Sequence, residues 1–324
     1  MKDLGPIRIE QIRAARERIQ ALAMRTPMVP LATEGAQIFL KLENLQPIGS
    51  FKIRGAGNAM RMAGSHELAD GVFTASAGNM AQGVAWNAMR LGIPCTAIVP
   101  DHAPEAKLAA VRRLGGTILK VPFDEWWEIL LTGKSDKCKG HFIHPVSDPR
   151  VIAGNGTIGL EILEDLPDVD AVVIPYGGGG LSCGIATAIR AQKPKTKIFA
   201  CEVETASPLA ASLAAGEPRT VKYTPSFVDG IGGKSVLTEM WPMARELLDG
   251  SLVMPLAEVA AAVRLLAERN RIIAEGAGAT PVAAALSGKA GSGSVVCVVS
   301  GGNIDSSVLA RILQGEFSGP AGSS

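Results

Sequence analysis

The sequence has few aromatic residues, no closely paired cysteines and almost no net charge. Of its 324 residues, 4% are aromatic and 47% are hydrophobic, which indicates a large core built mainly from aliphatic side chains. The 32 basic and 31 acidic residues give a net charge of +1, without a long block of either sign. This balance argues against nucleic acid or an anionic membrane as a partner.

Long hydrophobic runs and an N-terminal signal core are also missing. No apolar run approaches the roughly 20 residues of a membrane span, and residues 1–18 are charged, so we expect a cytoplasmic protein. Three of the five cysteines, Cys95, Cys201 and Cys297, lie in apolar runs, and none forms a CxxC pair. This pattern favours reduced thiols in the core over metal ligands or disulfides.

Short apolar runs alternate with helical patterns along most of the chain. The runs predict strands at 38–42, 72–76, 95–99, 117–121, 171–175, 197–201 and 295–299. Helical patterns lie between them, among them 80–90, 105–114, 181–192 and 256–268. This order predicts an α/β fold with mostly parallel sheets, arranged as two units with a ligand cleft between them. The glycine-rich tail 318–324 is expected to be disordered.

Four segments are rich in glycine and small polar residues: 47–55, 76–79, 177–180 and 300–303. Glycine lets backbone N–H groups approach an anion closely, and a helix that follows adds its positive end. Four consecutive glycines are more than a tight turn needs. The tetraglycine, which consists of Gly177, Gly178, Gly179 and Gly180, therefore predicts a phosphate site.

The phosphate motifs of nucleotide-binding proteins do not fit the chain. A Walker A motif is missing, because Val228 stands five positions before Gly233 of the sequence Gly233-Lys234-Ser235. The one GxGxxG, at 154–159, follows no convincing strand. A glycine-rich helix packed closely on a neighbour explains this motif better than a dinucleotide site does.

Lys52 stands between two apolar residues, Phe51 and Ile53, directly after a Gly-Ser pair. Such surroundings predict a desolvated amine, whose lowered pKa allows it to form a Schiff base. A single phosphate site together with such a lysine indicates pyridoxal 5′-phosphate (PLP) as the cofactor.

In this order the motifs resemble the serine/threonine dehydratase and serine racemase family of PLP enzymes of fold type II. The resemblance extends from about Arg25 to Asn303 and rests on segments 50–56 and 76–83, the tetraglycine, and 300–303. It implies a two-domain fold like that of tryptophan synthase β. Residues 1–70 and 147–324 would form a large PLP-binding domain, and residues 71–146 a small mobile domain. It also implies a homodimer that acts on a small amino acid substrate.

The resemblance also implies roles for single residues. Lys52 would hold PLP as a Schiff base and then act as the base at the substrate α-carbon, with Phe51 against the pyridine ring. Asn79 would hydrogen-bond the PLP 3′-oxygen, and Ser300 would face the pyridine nitrogen. On sequence alone, a helix cap remains the alternative for Asn79, and a turn serine for Ser300. The phosphate would bind at Gly177, Gly178, Gly179 and Gly180, and the substrate carboxylate at Ser76, Ala77, Gly78, Asn79 and Met80.

The expected reaction is β-elimination of water from a 3-hydroxy amino acid, which yields a 2-oxo acid and ammonia. A serine at Ser300 leaves the pyridine nitrogen largely neutral, which disfavours a long-lived carbanion and favours loss of a β-leaving group. Racemases of the family carry a proton-transferring serine where this chain has Ala77, so racemisation should be weak. The chain would thus be a carbon–oxygen lyase of amino acid catabolism. An L-serine/L-threonine dehydratase is the alternative, followed by a serine racemase or a β-replacement synthase.

Two departures from the family pattern concern the substrate. Met80 stands where the family usually has histidine, and Val146 where relatives more often have phenylalanine or asparagine. Both changes make the expected pocket less polar or roomier. They predict a bulky apolar or aryl substituent, as in 3-phenylserine, with neutral change in packing as the alternative.

A third departure concerns a cation. At the cation site of relatives the corresponding positions are Glu202, Ala206 and Pro208, so one carboxylate is missing. We therefore expect a monovalent cation or none at Glu202 and Ala206.

Three further residues are assigned more loosely. Glu275 is expected either near the cofactor or in a structural salt bridge, and Trp126 and Trp127 are expected to pack on a helix face.

Overall fold

The computed structural model describes residues 4–33 and 37–317, and the tail 318–324 lies outside them. The ten strands of these residues are β1 (Met28–Pro30), β2 (Ile38–Lys41), β3 (Val72–Ala75), β4 (Cys95–Pro100), β5 (Thr117–Val121), β6 (His141–Phe142), β7 (Ala171–Pro175), β8 (Lys197–Val203), β9 (Gly250–Met254) and β10 (Val295–Val298). All seven predicted strands are present, whereas β1, β6 and β9 were not predicted.

Twelve α-helices alternate with these strands in the described residues. They are α1 (Ile9–Ile19), α2 (Lys52–Met62), α3 (Asn79–Leu91), α4 (Glu105–Arg113), α5 (Phe123–Thr132), α6 (Pro149–Asp165), α7 (Gly180–Arg190), α8 (Pro208–Ala215), α9 (Trp241–Leu247), α10 (Leu256–Leu265), α11 (Gly276–Leu286) and α12 (Ser306–Leu313). None of the described helices is both long and apolar enough to cross a membrane.

The strands form two separate sheets, as the sequence predicts. One has six strands in the order β1-β2-β10-β7-β8-β9, of which only β1 is antiparallel to its neighbour. The other has four parallel strands in the order β5-β4-β3-β6. All residues of β3, β7 and β10 are buried, which is the pattern expected where helices cover both faces of a sheet. Cys95, Cys201 and Cys297 are buried in these sheets, as expected.

The GxGxxG segment lies inside α6, where its glycines allow close helix packing. A Cβ on Gly154 would lie 2.5 Å from the carbonyl oxygen of Arg54, and one on Gly156 would lie 2.7 Å from that of Gly184. A Cβ on Gly184 would lie 2.4 Å from the carbonyl oxygen of Ile152. The prediction of a packed glycine-rich helix is therefore confirmed.

A buried ionic network anchors α2, the helix that begins with Lys52. Arg54 donates hydrogen bonds to Glu43 at 2.8 Å and to Glu161 at 2.6 Å, and Lys41 pairs with Glu161 at 2.6 Å. Buried charges are tolerated when they are paired and hydrogen-bonded in this way. The network joins β2, α2 and α6, and so fixes the backbone from which Lys52 projects.

Candidate active site

A cleft of about 380 Å³ lies between the two sheets, beyond the carboxyl ends of β3, β4, β7 and β10. Ligands of parallel α/β sheets bind at this edge. The cleft is lined by every residue predicted for the cofactor and the substrate: Phe51, Lys52, Ser76, Ala77, Gly78, Asn79, Met80, Val146, Gly177, Gly178, Gly179, Gly180 and Ser300.

Lys52 and Ser300 are brought together by pairing of two distant turns. The N–H of Phe51 donates to the carbonyl oxygen of Ser300 at 3.0 Å, and the N–H of Gly302 donates to that of Gly49 at 2.9 Å. Gly49 has φ +69°, and a Cβ there would lie 2.7 Å from Oδ1 of Asn303, so only glycine fits. This pairing places the start of α2 beside the end of β10.

The amine of Lys52 is enclosed by protein. Its Nζ donates to the carbonyl oxygen of Pro145 at 2.8 Å and lies 5.2 Å from the centroid of the Phe51 ring. Burial lowers the pKa of this amine to about 8, although the charge of Glu275 acts in the opposite direction. A large fraction of the amine is therefore neutral near pH 8, as a nucleophile requires.

The tetraglycine leads from β7 into α7 and presents bare backbone to the cleft. Within the described residues, the N–H groups of Gly177, Gly178, Gly179 and Gly180 donate to no other protein group. Gly179 has φ +95°, and Gly180 begins the helix. Unpaired N–H groups at a helix N-terminus form a site for a phosphate, so these residues together with Lys52 fit PLP.

Asn79 begins α3 and is held by two partners. Its Nδ2 donates to Glu275 Oε1 at 2.9 Å, and its Oδ1 accepts a hydrogen bond from Asn303 Nδ2 at 2.8 Å. Burial raises the pKa of Glu275 to about 7, and the hydrogen bond from Asn79 partly offsets this effect. Glu275 also lines the cleft, and it fixes the orientation of the Asn79 amide.

The two residues that suggested a bulky substrate take different positions. Val146 packs on the tetraglycine, since a Cβ on Gly178 would lie 2.6 Å from Val146 Cγ1. Met80 is 2% exposed and packs in the core beneath the cleft. Both residues line the cleft.

Trp126 is a cleft residue that the sequence analysis assigned to helix packing. It projects from α5 and lines the cleft together with Pro100, Ala103 and Pro104. Its ring centroid lies 5.7 Å from that of Phe123. Trp126 packs, as expected, against a hydrophobic cluster that includes Phe73 and Ile98. Its place in the cleft lining is an addition, because the packing of α5 beside β4 is a long-range arrangement that leaves no local pattern in the sequence.

Glu202 and Ala206 lie outside the cleft, at the end of β8. The Glu202 carboxylate accepts hydrogen bonds from the N–H of Leu209 at 2.9 Å, the N–H of Ala210 at 2.8 Å and the Ser251 hydroxyl at 2.7 Å. Among the residues that the structure describes, no three His, Cys, Asp or Glu side chains are grouped so that they could hold a metal ion.

Known proteins are similar to this chain in sequence and in architecture. The family model described as "Pyridoxal-phosphate dependent enzyme" matches residues 19–301. An L-threonine ammonia-lyase from Thermotoga maritima is 41% identical over 314 residues, which cover 95% of this chain and 78% of the relative. A catabolic L-threonine dehydratase of Escherichia coli K12 is 38% identical, with 95% of this chain and 96% of the relative covered.

Solved structures agree with these relatives. Maize serine racemase superposes with a TM-score of 0.88 at 33% identity, covering 96% of this chain and 98% of the racemase. Threonine deaminase isoform 2 from Solanum lycopersicum gives a TM-score of 0.85 at 34% identity, with 94% and 88% covered. The predicted family, fold type and class of PLP-dependent lyase are confirmed. The chain belongs to the family of pyridoxal-phosphate dependent enzymes.

Proposed function

We propose that the protein removes water from a 3-hydroxy amino acid and releases a 2-oxo acid and ammonia. The observation that carries the proposal is that one cleft holds both the low-pKa amine of Lys52 and the unpaired N–H groups of the tetraglycine. Relatives named as threonine ammonia-lyase and threonine dehydratase support this choice. L-Serine and L-threonine are accordingly included among the proposed substrates.

Different parts of the cleft have different roles in the proposed elimination. Bound PLP supplies an electron sink that makes the α-proton of the amino acid removable. With a pKa of about 8, Lys52 can both accept that proton and release it again near neutral pH. The N-terminus of α3, which begins at Asn79, offers backbone N–H groups that stabilise the substrate carboxylate.

Racemisation is the second candidate, because maize serine racemase has the same architecture. Inversion at the α-carbon requires a second proton-transfer group on the face opposite the lysine. Ala77 lines the cleft where the resemblance implies that group, and a methyl group cannot transfer a proton. Elimination, which needs proton removal from one face alone, is therefore favoured.

The chemistry of the cleft wall favours an apolar substituent on the substrate. Asn79 and Glu275 are hydrogen-bonded to each other in the lining, which also includes Ser76. Trp126, Pro100 and Pro104 contribute hydrophobic surface to another part of the lining, beside the polar His102 and Lys107. We therefore propose a preference for a bulky apolar or aryl β-substituent, as in 3-phenylserine, since such a group would gain contact with the indole ring.

A panel of substrates tests both the proposed reaction and the proposed preference for an aryl substituent. Release of 2-oxo acid is measured with serine, threonine and 3-phenylserine, without any added nucleophile. Failure with all three would contradict the lyase, and a clear preference for serine would contradict the aryl substituent.

Two variants at adjacent tryptophans test the wall itself. Trp126→Ala should lower kcat/KM for phenylserine by about tenfold more than for threonine. Trp127→Ala is the matched control, because Trp127 lies on the same helix but does not line the cleft. Equal effects of the two variants, or equal effects on the two substrates, would contradict the proposed wall.

The family resemblance also leads us to propose that the protein is a cytoplasmic homodimer. We further propose that residues 71–146 close on the substrate and that a monovalent cation binds at Glu202 and Ala206. Sedimentation equilibrium tests the dimer, and small-angle scattering with and without substrate tests the closure. Activity titrated with potassium against a choline control tests the cation. A monomer, an unchanged envelope or equal activity in both salts would each contradict one of these proposals.

A further inference from the structure

His144 organises the turn that follows β6. Its Nδ1 accepts hydrogen bonds from the N–H groups of Val146, at 3.0 Å, and Ser147, at 2.8 Å. The Ser147 hydroxyl lies 3.2 Å from Nε2, and Phe142 packs edge-on against the ring with centroids 5.8 Å apart. One imidazole nitrogen thus fixes the 145–147 turn.

This turn contacts both functional parts of the cleft. The carbonyl oxygen of Pro145 accepts the hydrogen bond from Lys52 Nζ. Val146 packs on the tetraglycine, and a Cβ on Gly180 would lie 2.8 Å from the Val146 carbonyl oxygen. A displacement of the turn would therefore move the partner of the amine and the support of the phosphate site together.

The two backbone donors require an unprotonated Nδ1. A protonated ring would direct its own N–H at them, and the turn would lose both hydrogen bonds. Burial lowers the pKa of His144, and the charge of Lys52 acts in the same direction. The charged groups that act against this shift are Glu239 and Asp148, and a hydrogen bond with the backbone of Leu130 on α5 adds to them.

We propose that His144 is a positioning residue: its unprotonated Nδ1 holds the 145–147 turn, which aligns Lys52 with the tetraglycine, and protonation of the ring releases that turn. The inference rests on the proposed function, because it assigns His144 a role in the cleft that would bind PLP. It implies an acidic limit to cofactor retention and activity that depends on His144 and adds to the effect of protonating Lys52.

Three variants separate this role from a general effect of histidine. His144→Asn places an amide oxygen where Nδ1 stands, so it keeps the acceptor and removes the titration. His144→Phe keeps a ring but removes the acceptor. His141→Asn is the matched control, because His141 is also half-buried but pairs with Glu67 and does not contact the turn.

The full-length protein loaded with PLP is dialysed between about pH 5 and about pH 8, and retained PLP is measured by absorbance. The wild type and His141→Asn should lose affinity more steeply toward acid than His144→Asn, with Kd rising about tenfold more per pH unit below the pKa of His144. His144→Phe should bind PLP at least about tenfold more weakly at every pH. Parallel pH profiles for the wild type and His144→Asn would overturn the proposal.

Amide hydrogen exchange at Val146 and Ser147 adds a readout that needs no activity. Protection should be similar in the wild type and His144→Asn near neutral pH, and in acid only the wild type should lose it. If the wild type forms no 2-oxo acid, the proposed function fails while retention and exchange still decide the role of His144. If His144→Phe does not fold, the comparison of the wild type with His144→Asn decides it.

Discussion

At the scale of single residues, the proposed chemistry depends on the buried amine of Lys52. Only the neutral form of an amine attacks an aldehyde. Because burial lowers the pKa of Lys52 to about 8, the neutral form becomes dominant at a lower pH than in an exposed lysine. The chain has few aromatic residues, and one of them, Phe51, places its ring beside this amine.

The pH dependence of cofactor capture tests the surroundings of this amine. We expect the rate at which the apoprotein binds PLP to rise with pH through about 8, where half of the amine is neutral, and to level off about one pH unit higher, where nearly all of it is neutral. Stopped-flow absorbance measures this rate, with Nα-acetyl-lysine as the reference amine, whose rate should rise to about pH 10. A protein rate that follows the reference to high pH would show an exposed amine.

Glu275 leads to a prediction about stability. Its pKa is raised to about 7, so the folded state keeps a proton that the unfolded state has lost above its ordinary pKa of 4.5. Stability from this group is therefore fully present below pH 4.5 and is lost as pH rises through 7. Between pH 4.5 and pH 7, the free energy of unfolding of the apoprotein should fall by about 3 kcal/mol relative to that of Glu275→Gln, as measured by urea unfolding. Glu128→Gln, on an exposed part of α5, is the control, and parallel curves for the wild type and Glu275→Gln would contradict the prediction.

At the scale of elements, the contact between α6 and α7 depends on glycine. Gly184→Ala would place a Cβ 2.4 Å from the carbonyl oxygen of Ile152, which forces the two helices apart. We expect a loss of about 1–3 kcal/mol in the free energy of unfolding. Gly64→Ala, whose Cβ would lie 3.7 Å from its nearest neighbour, is the control and should change it by less than about 0.5 kcal/mol. Similar losses in both variants would contradict this account of the packing.

The strands differ in how clearly the sequence predicts them. Runs such as β7 and β10 are entirely apolar because helices cover both faces, so the sequence alone locates them. Of the three strands that were not predicted, β1 is a three-residue edge strand ending in Pro30, β6 has two residues, and β9 has five partly exposed or buried residues. Their pairing comes from neighbouring strands rather than from their own composition.

The residues of the candidate site also differ in how clearly the sequence predicts them. The turn motifs around Lys52 and the tetraglycine are local, and the sequence located the residues that line the cleft there. Trp126 was not assigned to the site, because its place in the cleft comes from the packing of α5 beside β4, which lies far away in the chain. His144 was not assigned to the site either, although its partners Val146 and Ser147 are near neighbours in the sequence. A turn acceptor such as His144 Nδ1 is set by side-chain geometry, which one sequence does not display.

At the scale of the whole molecule, one ion pair spans the cleft between the two sheets. Lys107 on α4 donates to Asp229, in the connection from α8 to α9, at 2.5 Å, and both residues line the cleft. Both side chains are substantially exposed, so the pair adds little to global stability. Its position across the opening would stabilise the closed arrangement that we propose for residues 71–146.

A double-mutant cycle tests this bridge. Lys107→Ala and Asp229→Ala should each raise KM by roughly 2–5-fold, and the double variant should raise it no further, because each single change already breaks the pair. If the increases in KM of the two single variants multiply in the double variant, the two residues act independently, and the bridge is contradicted.

The attachment of PLP to Lys52 is the claim on which the account rests most heavily, and chemical reduction tests it directly. The PLP-loaded protein is treated with sodium borohydride, digested and analysed by mass spectrometry. We expect the pyridoxyl phosphate mass on the peptide that contains Lys52, and no label on this peptide in Lys52→Ala. An unmodified Lys52, or stoichiometric label on Lys107 instead, would contradict the assignment.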